Sequence, residues 1–280
     1  MPELPEVETV RRGLAPHMQG KKIHGFHLSD KKLRFCNVTT KIQEQLSGSI
    51  IKELTRRGKY LCVHLDNGKS LIHHLGMSGS FRTEPEMNPL KKHDHIIYEF
   101  ADGARVIYND PRRFGMLFIT DSDAIEAHPA FAQMGVEPTS AALQHDHLYH
   151  QLKNRKVPIK SALLNQHIIA GLGNIYVCEA LFLARISPLR SANTLRKADC
   201  ARLSDAISAV IEAAIKAGGS TLKDHKQVSG ETGYFQHNFK VYGRKGLACE
   251  NCSCHIEKTG GIKRVTQSGR STFYCPHKQK

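Results

Sequence analysis

The sequence predicts a multidomain α+β protein with a β-rich N-terminal part, a helical middle part and a small metal-binding module at the C-terminus. Three observations support this prediction. Apolar residues alternate in steps of two between residues 20 and 120, and after residue 150 they recur at helical spacing. Four of the eight cysteines lie in the last 32 residues.

The chain opens with MPELPEVETV, and this part of the sequence predicts a helix from residue 5 to residue 18. Apolar side chains recur there at spacings of three and four, at Val7, Val10, Leu14 and Met18. Pro5 suits the first helical turn, and Glu6 and Glu8 favour the positive end of the helix dipole. If the initiator methionine is removed, Pro2 becomes the N-terminus. The opening is therefore either an ordinary helix start or a chain end with a reactive amine.

Residues 20 to 120 predict a β-sandwich or a flattened barrel. Apolar residues alternate over 61–65 up to Asn67-Gly68, which is a strong hairpin signal. One strand is predicted to follow over residues 70–82. A second hairpin is predicted around Asp102-Gly103, because apolar residues alternate on both sides of this pair.

The rest of the chain is predicted to be mostly helical. Residues 121–150 are polar and predict short helices and a linker. The amphipathic stripe over 203–214 predicts a long helix that ends at Gly218-Gly219. Residues 219–240 are polar and glycine-rich without periodicity, so they predict a long loop, and such loops are usually functional or mobile.

The composition predicts a polyanionic partner. Lys and Arg total 40 against 26 Asp and Glu, a formal net charge of +14, and nucleic acid is the first partner to consider for so basic a chain. No apolar run approaches the ~20 residues that span a bilayer, and the acidic N-terminus lacks the apolar core of a signal peptide. The sequence therefore predicts a cytoplasmic protein with no membrane partner.

The cysteine pattern indicates a metal site, because a terminal cluster in a reducing compartment is typical of zinc modules. Cys249 and Cys252 have the two-residue gap of a zinc knuckle, and 22 residues separate Cys252 from Cys275. A regular zinc ribbon would have its fourth cysteine at position 278, which is occupied by Lys278. His277 is the nearest substitute, and the alternatives are Cys254 and His255. The other cysteines are expected to be small buried side chains: Cys36, Cys62, Cys178 and Cys200.

Two motifs in the β-rich part are candidate ligand contacts. NDPRRFG (109–115) ends a strand in a turn, from which Arg112 can reach phosphate or base edges and Phe114 can enter a base stack. The plain alternative is a solvated turn with Phe114 in the core. In HHLGMSGS (73–80), Met77 lies between glycines and is a candidate apolar wedge.

Two further motifs carry polar residues of interest. In AGLGNIYVCEALF (170–182), Asn174 is predicted to cap a helix whose N-terminal amides suit phosphate, and a plain helix hairpin is the alternative. In RRGKY (56–60), Lys59 is expected at the start of a strand, where spacing alone assigns it no role.

Taken in order, nine segments resemble the formamidopyrimidine-DNA glycosylase family, bacterial enzymes that excise oxidised purines. These segments are MPELPEVETVRRGL, RRGKYL, HHLGMSGSFR, KHDH, NDPRRFG, AGLGNIYVCEALF, GGSTLKD, GYFQH and SGRSTFYCP. The resemblance covers essentially the whole chain. It implies an N-terminal β-sandwich catalytic domain over 1–132, a helix–two-turn–helix domain with a lesion-recognition loop over 133–240, and a zinc-finger hairpin over 241–280.

The resemblance also implies roles for individual residues. Pro2 would be the nucleophile at C1′ of the damaged nucleotide, Glu3 the acid–base group beside it and Glu6 a supporting carboxylate. Lys59 would be the essential lysine that contacts the phosphate near the lesion and assists the chemistry. Arg270, at the tip of the finger, would contact a backbone phosphate and is counted with the catalytic residues. The gap left by the flipped nucleotide would be filled by Met77, Arg112 and Phe114. Other backbone phosphates would be contacted by His93, Lys156 and Asn174. A structural zinc ion would be held by Cys249, Cys252, Cys275 and His277.

The implied activity is base-excision repair by a monomeric DNA N-glycosylase and AP lyase. Its partner would be double-stranded DNA with oxidised bases or AP sites, at the bacterial nucleoid. It would remove 8-oxoguanine and formamidopyrimidines opposite cytosine through an N-terminal proline Schiff base, followed by β,δ-elimination. An α-amine has a reference pKa near 8 against about 10.4 for lysine, so at neutral pH more of it is in the nucleophilic form.

Two alternative functions stay open. The sister family acts on oxidised pyrimidines, but it usually has Gly where this chain has Leu4, and it lacks a close match to the wedge residues. A catalytically inactive DNA-binding protein could use the same helical motif and finger. Intact Pro2, Glu3 and Lys59 argue against that second alternative.

Overall fold

The computed structural model describes residues 1–139, 141–143, 145–220, 233–250, 252 and 255–280. The chain divides into two compact units. The first comprises Met1–Ala132 with Ala217–Tyr234, and the second comprises Gln133–Lys216 with Phe235–Lys280. In the described residues, the first unit contains two β-sheets, the N-terminal helix and a second short helix, whereas the second unit is mostly helical and has one β-hairpin. The α+β prediction is therefore confirmed.

The N-terminal helix, α1, spans Leu4–Met18 and confirms the helix predicted from the opening residues. Its apolar stripe is fully buried, at Val7, Val10, Leu14 and Met18. The helix begins with a capping box: the Glu3 side chain accepts a hydrogen bond from the Glu6 amide, and the Glu6 side chain accepts one from the Glu3 amide. These reciprocal bonds fix the residue at which the helix starts.

The first unit contains a four-stranded and a five-stranded sheet. The four-stranded sheet is antiparallel, in the order β1 (Ile23–Leu28), β7 (Asp94–Phe100), β8 (Arg105–Asn109) and β6 (Ser80–Glu84). The five-stranded sheet has the order β2 (Phe35–Cys36), β9 (Met116–Asp121), β5 (Lys69–His74), β4 (Tyr60–Leu65) and β3 (Ile51–Arg57). Strand β2 pairs parallel with β9, and the other pairs are antiparallel. A short helix, α2 (Thr40–Leu46), lies between β2 and β3 in the chain.

A single apolar core joins α1 to both sheets, as expected for a β-sandwich. His73 of β5 marks the contact between the sheets. Its ring centroid lies 5.4 Å from that of Phe81 on β6, and its Nε2 lies 2.6 Å from the hydroxyl of Tyr98 on β7. Burial lowers the pKa of His73 to about 3, so the ring is neutral at physiological pH. His73 is therefore a polar member of the core.

Both predicted hairpins are confirmed, but the strand predicted over 70–82 is wrong. Strands β4 and β5 flank Asn67-Gly68, and β7 and β8 flank Asp102-Gly103. Within 70–82, however, β5 ends at His74, and the chain then turns and enters the other sheet as β6. Alternation alone did not reveal this change of sheet, because Gly76 and Gly79 lie between two apolar runs that are both half-buried or buried.

In its described residues, the second unit has four helices before residue 217, and a short helix and a β-hairpin near the C-terminus. The helices are α3 (His145–Leu152), α4 (Ile159–Leu163), α5 (Asn174–Leu183) and α6 (Lys197–Lys216), and α6 confirms the predicted amphipathic helix. A short helix, α7 (Ile256–Thr259), precedes the hairpin of β10 (Lys263–Gln267) and β11 (Arg270–Tyr274). Among the described residues, no helix has the length and apolar content needed to cross a membrane.

Two other expectations have mixed outcomes. Three of the scattered cysteines are buried as expected, namely Cys62, Cys178 and Cys200, but Cys36 is exposed because it lies on the short outer strand β2. Most of the loop predicted over 219–240 lies outside the described residues. At its described ends, Ser220 pairs with Tyr234, and Phe235–Asn238 form a 3-10 helix.

We predict that Glu8→Gln lowers stability in a pH-dependent way. The Glu8 carboxylate accepts hydrogen bonds from Arg11, Arg12 and Arg56. Burial raises its pKa, but the arginines outweigh burial and lower the pKa from 4.5 to about 2. A lowered pKa in the folded state adds stability above the unfolded value, and this stability is lost as the pH falls toward 2.

The free energy of unfolding, measured in urea, should be about 1–3 kcal/mol lower for Glu8→Gln than for wild type near pH 7. This difference should shrink between about pH 5 and pH 2. The control is Glu44→Gln on the exposed face of α2, which should change stability little. A Glu8→Gln deficit that stays constant with pH would contradict the account.

Candidate functional site

The N-terminal arm ends in a buried polar cluster in the first unit. Pro2, Glu3 and Glu6 are all buried, whereas Met1 is half exposed. Glu6 Oε2 accepts a hydrogen bond from the Glu3 amide at 2.8 Å. Glu6 Oε1 accepts two more, from the Ser220 amide at 2.8 Å and the Ser220 hydroxyl at 3.0 Å. The Glu6 carboxylate therefore joins the N-terminal arm to the segment that follows the long helix.

The approach of that segment depends on glycine. Gly219 has a φ of +76°, and a Cβ atom on it would lie 3.2 Å from Glu6 Oε1. Any larger residue would combine a strained backbone with crowding against the carboxylate. The predicted helix end at Gly218-Gly219 thus has a second consequence, because it brings Ser220 next to Glu6.

Lys59 lies in the turn between β3 and β4 and is buried. The prediction that Lys59 starts a strand is therefore wrong by one residue. Its side chain is also not solvent-exposed, as that of a lone lysine on a strand usually is. Burial, together with the charges of Lys59 and Arg34, lowers the pKa of the neighbouring His74 to about 4. His74 Nδ1 accepts a hydrogen bond from the Gly76 amide at 3.1 Å, which also requires an unprotonated nitrogen. His74 is therefore a neutral neighbour of Lys59.

Two turns present the candidate wedge residues, and both have exposed tips. Met77 is 40% exposed and Phe114 is 39% exposed, so the alternative that puts Phe114 in the core is excluded. The Arg112 guanidinium lies 4.8 Å from the centre of the Phe114 ring, in cation–π contact. The first unit thus presents the Met77 side chain, the Phe114 ring and the Arg112 guanidinium on neighbouring turns.

The Asp110 side chain is hydrogen-bonded to both turns. It is fully buried, and its Oδ1 accepts a hydrogen bond from the Ser78 hydroxyl at 2.6 Å. Its Oδ2 accepts one from the Gly115 amide at 2.8 Å. The Asp110 amide donates to the His93 carbonyl at 3.0 Å, which brings His93 beside the same turn.

In the second unit, α4 and α5 both contact the hairpin of β10 and β11. The buried Lys160 ammonium donates to the Ser271 carbonyl at 3.0 Å and to the Thr272 hydroxyl at 2.7 Å. The Asn174 side chain donates to the same Ser271 carbonyl at 2.9 Å. Asn174 is the first residue of α5, and Gly173 is the N-cap, so the prediction that Asn174 caps this helix is wrong.

The two predicted phosphate-contacting cations of this unit are exposed. Arg270 begins β11 directly after a turn in which Ser268 and Gly269 both have positive φ, as a tight hairpin requires. Lys156 lies in the connection between α3 and α4. The hairpin bonds from Lys160 and Asn174 are made to Ser271, the residue after Arg270.

Glu179 of α5 holds the chain that leads into the C-terminal module. Its buried carboxylate accepts three backbone hydrogen bonds, from Lys240 at 2.8 Å, Val241 at 3.0 Å and Tyr242 at 2.8 Å. Burial raises the pKa of Glu179, although these amide bonds oppose the shift. Because the amides converge on one carboxylate, the course of the chain before the cysteines is closely defined.

Three of the predicted metal ligands lie together. The thiols of Cys249, Cys252 and Cys275 are all within 4.8 Å of one another, and the last two are 3.8 Å apart. Ligands about 2.3 Å from a tetrahedral metal ion lie about 3.8 Å apart, so this spacing suits a metal site. His277 Nδ1 lies 3.4 Å from the thiol of Cys252. Of the alternatives, Cys254 lies outside the described residues.

Lys278 contacts neighbouring residues instead of binding a metal ion, the role expected of a cysteine at this position. Its ammonium lies 4.4 Å from the centre of the Phe182 ring and 3.3 Å from the Glu250 carbonyl. Its backbone amide donates toward the thiol of Cys275 at 3.4 Å. Position 278 therefore still borders the cluster through its main chain.

Sequence reasoning missed the residues that hold the others in place. Asp110, Lys160, Glu179 and Ser220 are buried polar side chains, and their partners are distant in the sequence. Asp110 could have been suspected, because an Asp before Pro commonly bonds the turn that follows. The other three give no local signal.

Comparisons with known proteins match the whole chain. Residues 1–117 match the family model of the formamidopyrimidine-DNA glycosylase N-terminal domain, and residues 134–226 match that of the formamidopyrimidine-DNA glycosylase H2TH domain. A formamidopyrimidine-DNA glycosylase of Brucella ovis is 50% identical, with 98% of each chain covered. These matches confirm the resemblance drawn from the sequence motifs.

Two solved structures from Lactococcus lactis have the same fold at 35% identity. One is a complex between a variant FPG and DNA containing Fapy-dG, with a TM-score of 0.91 over 100% of both chains. The other is a complex of Fpg with DNA containing an abasic site, with a TM-score of 0.90 over 99% of both chains.

We predict that Glu179→Gln destabilises the protein, because a carboxamide places N–H groups against amides that need an acceptor. The loss in the free energy of unfolding should be about 2–4 kcal/mol, measured by chemical denaturation. The matched control is Glu212→Gln on the exposed face of α6, which should be nearly neutral. Equal stability of the two variants would show that the Glu179 bonds do not hold the segment.

Proposed function

Because this chain belongs to the formamidopyrimidine-DNA glycosylase family, we propose that it is a base-excision repair enzyme, a DNA N-glycosylase with AP lyase activity. Its substrate is double-stranded DNA that contains oxidised purines such as 8-oxoguanine and formamidopyrimidines, or AP sites. The observation that carries the proposal is the N-terminal arm, in which the buried Pro2 precedes Glu3, and the carboxylates of Glu3 and Glu6 each accept a hydrogen bond from the backbone amide of the other residue.

The chemistry begins at the secondary amine of Pro2 after Met1 is removed. The amine attacks C1′ of the damaged nucleotide as the bond from C1′ to the base breaks, and the base leaves with that electron pair and takes up a proton. The nitrogen lone pair then expels the ring oxygen O4′, which is protonated, so the sugar ring opens and an iminium forms at C1′. The iminium withdraws electrons, so the 3′ phosphate and then the 5′ phosphate leave by β- and δ-elimination. Glu3 moves the protons in these steps as general acid and base. Glu6 holds the arm in position through its bonds to Glu3 and Ser220.

The other residues bind the DNA backbone and replace the displaced nucleotide. Lys59 contacts the phosphate near the lesion, and its burial among β3, β4 and His74 suits a cation that must be fixed in place. The exposed tips of Met77 and Phe114, with Arg112, fill the gap in the base stack. The backbone phosphates are contacted by His93, Lys156, Asn174 and Arg270. The net charge of +14 supports these contacts.

A zinc ion completes the C-terminal module in this proposal. Cys249, Cys252 and Cys275 are three ligands, and His277 is the fourth because its Nδ1 is 3.4 Å from the Cys252 thiol. A structural zinc ion supplies no chemistry to the reaction, but it holds its ligands together and thereby orders the finger. The benefit to function is a defined position for Arg270 on the hairpin that runs into Cys275.

We place the enzyme in the bacterial cytoplasm, acting as a monomer on nucleoid DNA, since the matched relatives are bacterial. The runner-up function is excision of oxidised pyrimidines by the sister family. Leu4, where that family usually has Gly, and the wedge set of Met77, Arg112 and Phe114 favour the purine substrate.

Borohydride reduction of the enzyme on duplex DNA with 8-oxoguanine opposite cytosine should trap one covalent adduct, and peptide mapping should place it at Pro2. Pro2→Leu should reduce trapping more than about 100-fold, because a bulky second residue retains Met1 and removes the secondary amine. The matched control is Pro85→Leu in an exposed loop, which should trap like wild type. Undiminished trapping by Pro2→Leu would rule out the N-terminal nucleophile, and preferential trapping on oxidised pyrimidines would favour the runner-up.

Native mass spectrometry should show one zinc ion per chain. Cys275→Ser and His277→Ala should each lower the zinc content, and His277→Cys should restore it, because a thiolate replaces the imidazole ligand. The control is Cys36→Ser, since Cys36 is exposed and remote in sequence from the cluster. Full zinc content in His277→Ala would show that another residue is the fourth ligand.

A further inference from the structure

We propose that Asp110 is a positioning residue that locks the turns bearing Met77, Arg112 and Phe114 into a single rigid wedge. This inference rests on the proposed function, since it concerns the step in which the damaged nucleotide leaves the base stack. It adds a requirement of its own, that the wedge residues act together and depend on one buried carboxylate.

The hydrogen bonds of Asp110 reach both turns. Oδ1 accepts from the hydroxyl of Ser78, the residue after Met77, at 2.6 Å. It also accepts from the Arg112 amide at 3.3 Å. Oδ2 accepts from the amide of Gly115, the residue after Phe114, at 2.8 Å. For each wedge residue, either its own backbone amide or a group of the following residue therefore donates a hydrogen bond to the Asp110 carboxylate.

The two turns also touch each other without intervening side chains. A Cβ atom on Gly76 would lie 2.5 Å from the backbone carbon of Phe114, so only glycine permits this approach. Gly76 also has a φ of +69°, which disfavours other residues. On the opposite side, the Tyr108 hydroxyl donates to the Leu75 carbonyl at 3.0 Å and lies 3.2 Å from Asp110 Oδ2. Backbone contacts and the buried side chains of Tyr108 and Asp110 thus hold the two turns together.

The backbone between the wedge residues is held in an uncommon conformation. Arg113 has a φ of +57°, in the left-handed region that residues with a Cβ seldom adopt. The flanking amides of Arg112 and Gly115 both donate to Asp110, so the carboxylate compensates for this local cost. Without these bonds the turn would relax, and Arg112 and Phe114 would point elsewhere.

The tips of the wedge are partly exposed, at 40% of the Met77 surface and 39% of the Phe114 surface. The Phe114 ring contacts the guanidinium of Arg112, a member of the same turn. Apolar tips on a rigid base can enter a base stack without first losing conformational freedom. Apolar tips on a loose base must be ordered during the displacement, so they slow this step.

The test separates displacement from chemistry by using two substrates. Duplex DNA with 8-oxoguanine requires displacement of the nucleotide, whereas an AP site in single-stranded DNA is not stacked in a duplex. For Asp110→Asn and Ser78→Ala, single-turnover excision from the duplex should fall about 10- to 100-fold. Borohydride trapping on the single-stranded AP site should stay within about twofold of wild type. Ser78→Ala keeps the buried carboxylate, so it tests the proposal even if Asp110→Asn does not fold.

A fluorescent base analogue placed opposite the lesion provides the second readout, because it reports unstacking directly. Its fluorescence rise should be slower in both variants and unchanged in Asp123→Asn, an exposed control. Equal losses on the two substrates, or undiminished duplex excision in folded Ser78→Ala and Asp110→Asn, would overturn the proposal. If wild type fails to trap on either substrate, the proposed activity itself is wrong, which is a different outcome.

Discussion

The position of the N-terminal arm depends on the hydrogen bonds that the Glu6 carboxylate accepts. A chain end is normally the most mobile part of a domain, and the proposed reaction would require it to hold the Pro2 amine at a fixed position. Glu6 solves this problem with one side chain, because it bonds the Glu3 amide, the Ser220 amide and the Ser220 hydroxyl. Since all three donors are buried, loss of the acceptor would leave them without compensation. The order of the arm therefore follows from helix capping and one long-range contact.

The same physical arrangement recurs elsewhere in the molecule. A buried polar group with several hydrogen bonds fixes a short segment, and a side chain next to that segment is exposed. Asp110 does this for the wedge turns, and Lys160 does it for the hairpin that carries Arg270. In each case rigidity comes from within the unit, while the exposed tip stays available to a partner. The energetic cost of burying each charged group is offset by its several hydrogen bonds.

Local patterns predicted much of the fold and part of the site. Apolar spacing and the residues of the first turn predicted α1, paired turn residues predicted both hairpins, and cysteine spacing predicted three thiols that do meet. The predictions that were wrong depend on tertiary context. The chain changes sheets between β5 and β6 because Gly76 lets the backbone turn against Phe114, a contact that no alternation pattern encodes. Likewise, Lys59 is buried in the turn between β3 and β4, although its sequence surroundings are polar and basic.

The central claim is that a fixed N-terminal proline amine, supported by Glu3 and Glu6, is the group that bonds to the sugar. The most direct measurement is a crystal structure of the enzyme reduced with borohydride on lesion-containing DNA. The account predicts continuous electron density between the Pro2 nitrogen and C1′, with Glu6 still bonded to Ser220. Density that joins C1′ to the Lys59 ammonium nitrogen or to any other side chain would contradict it.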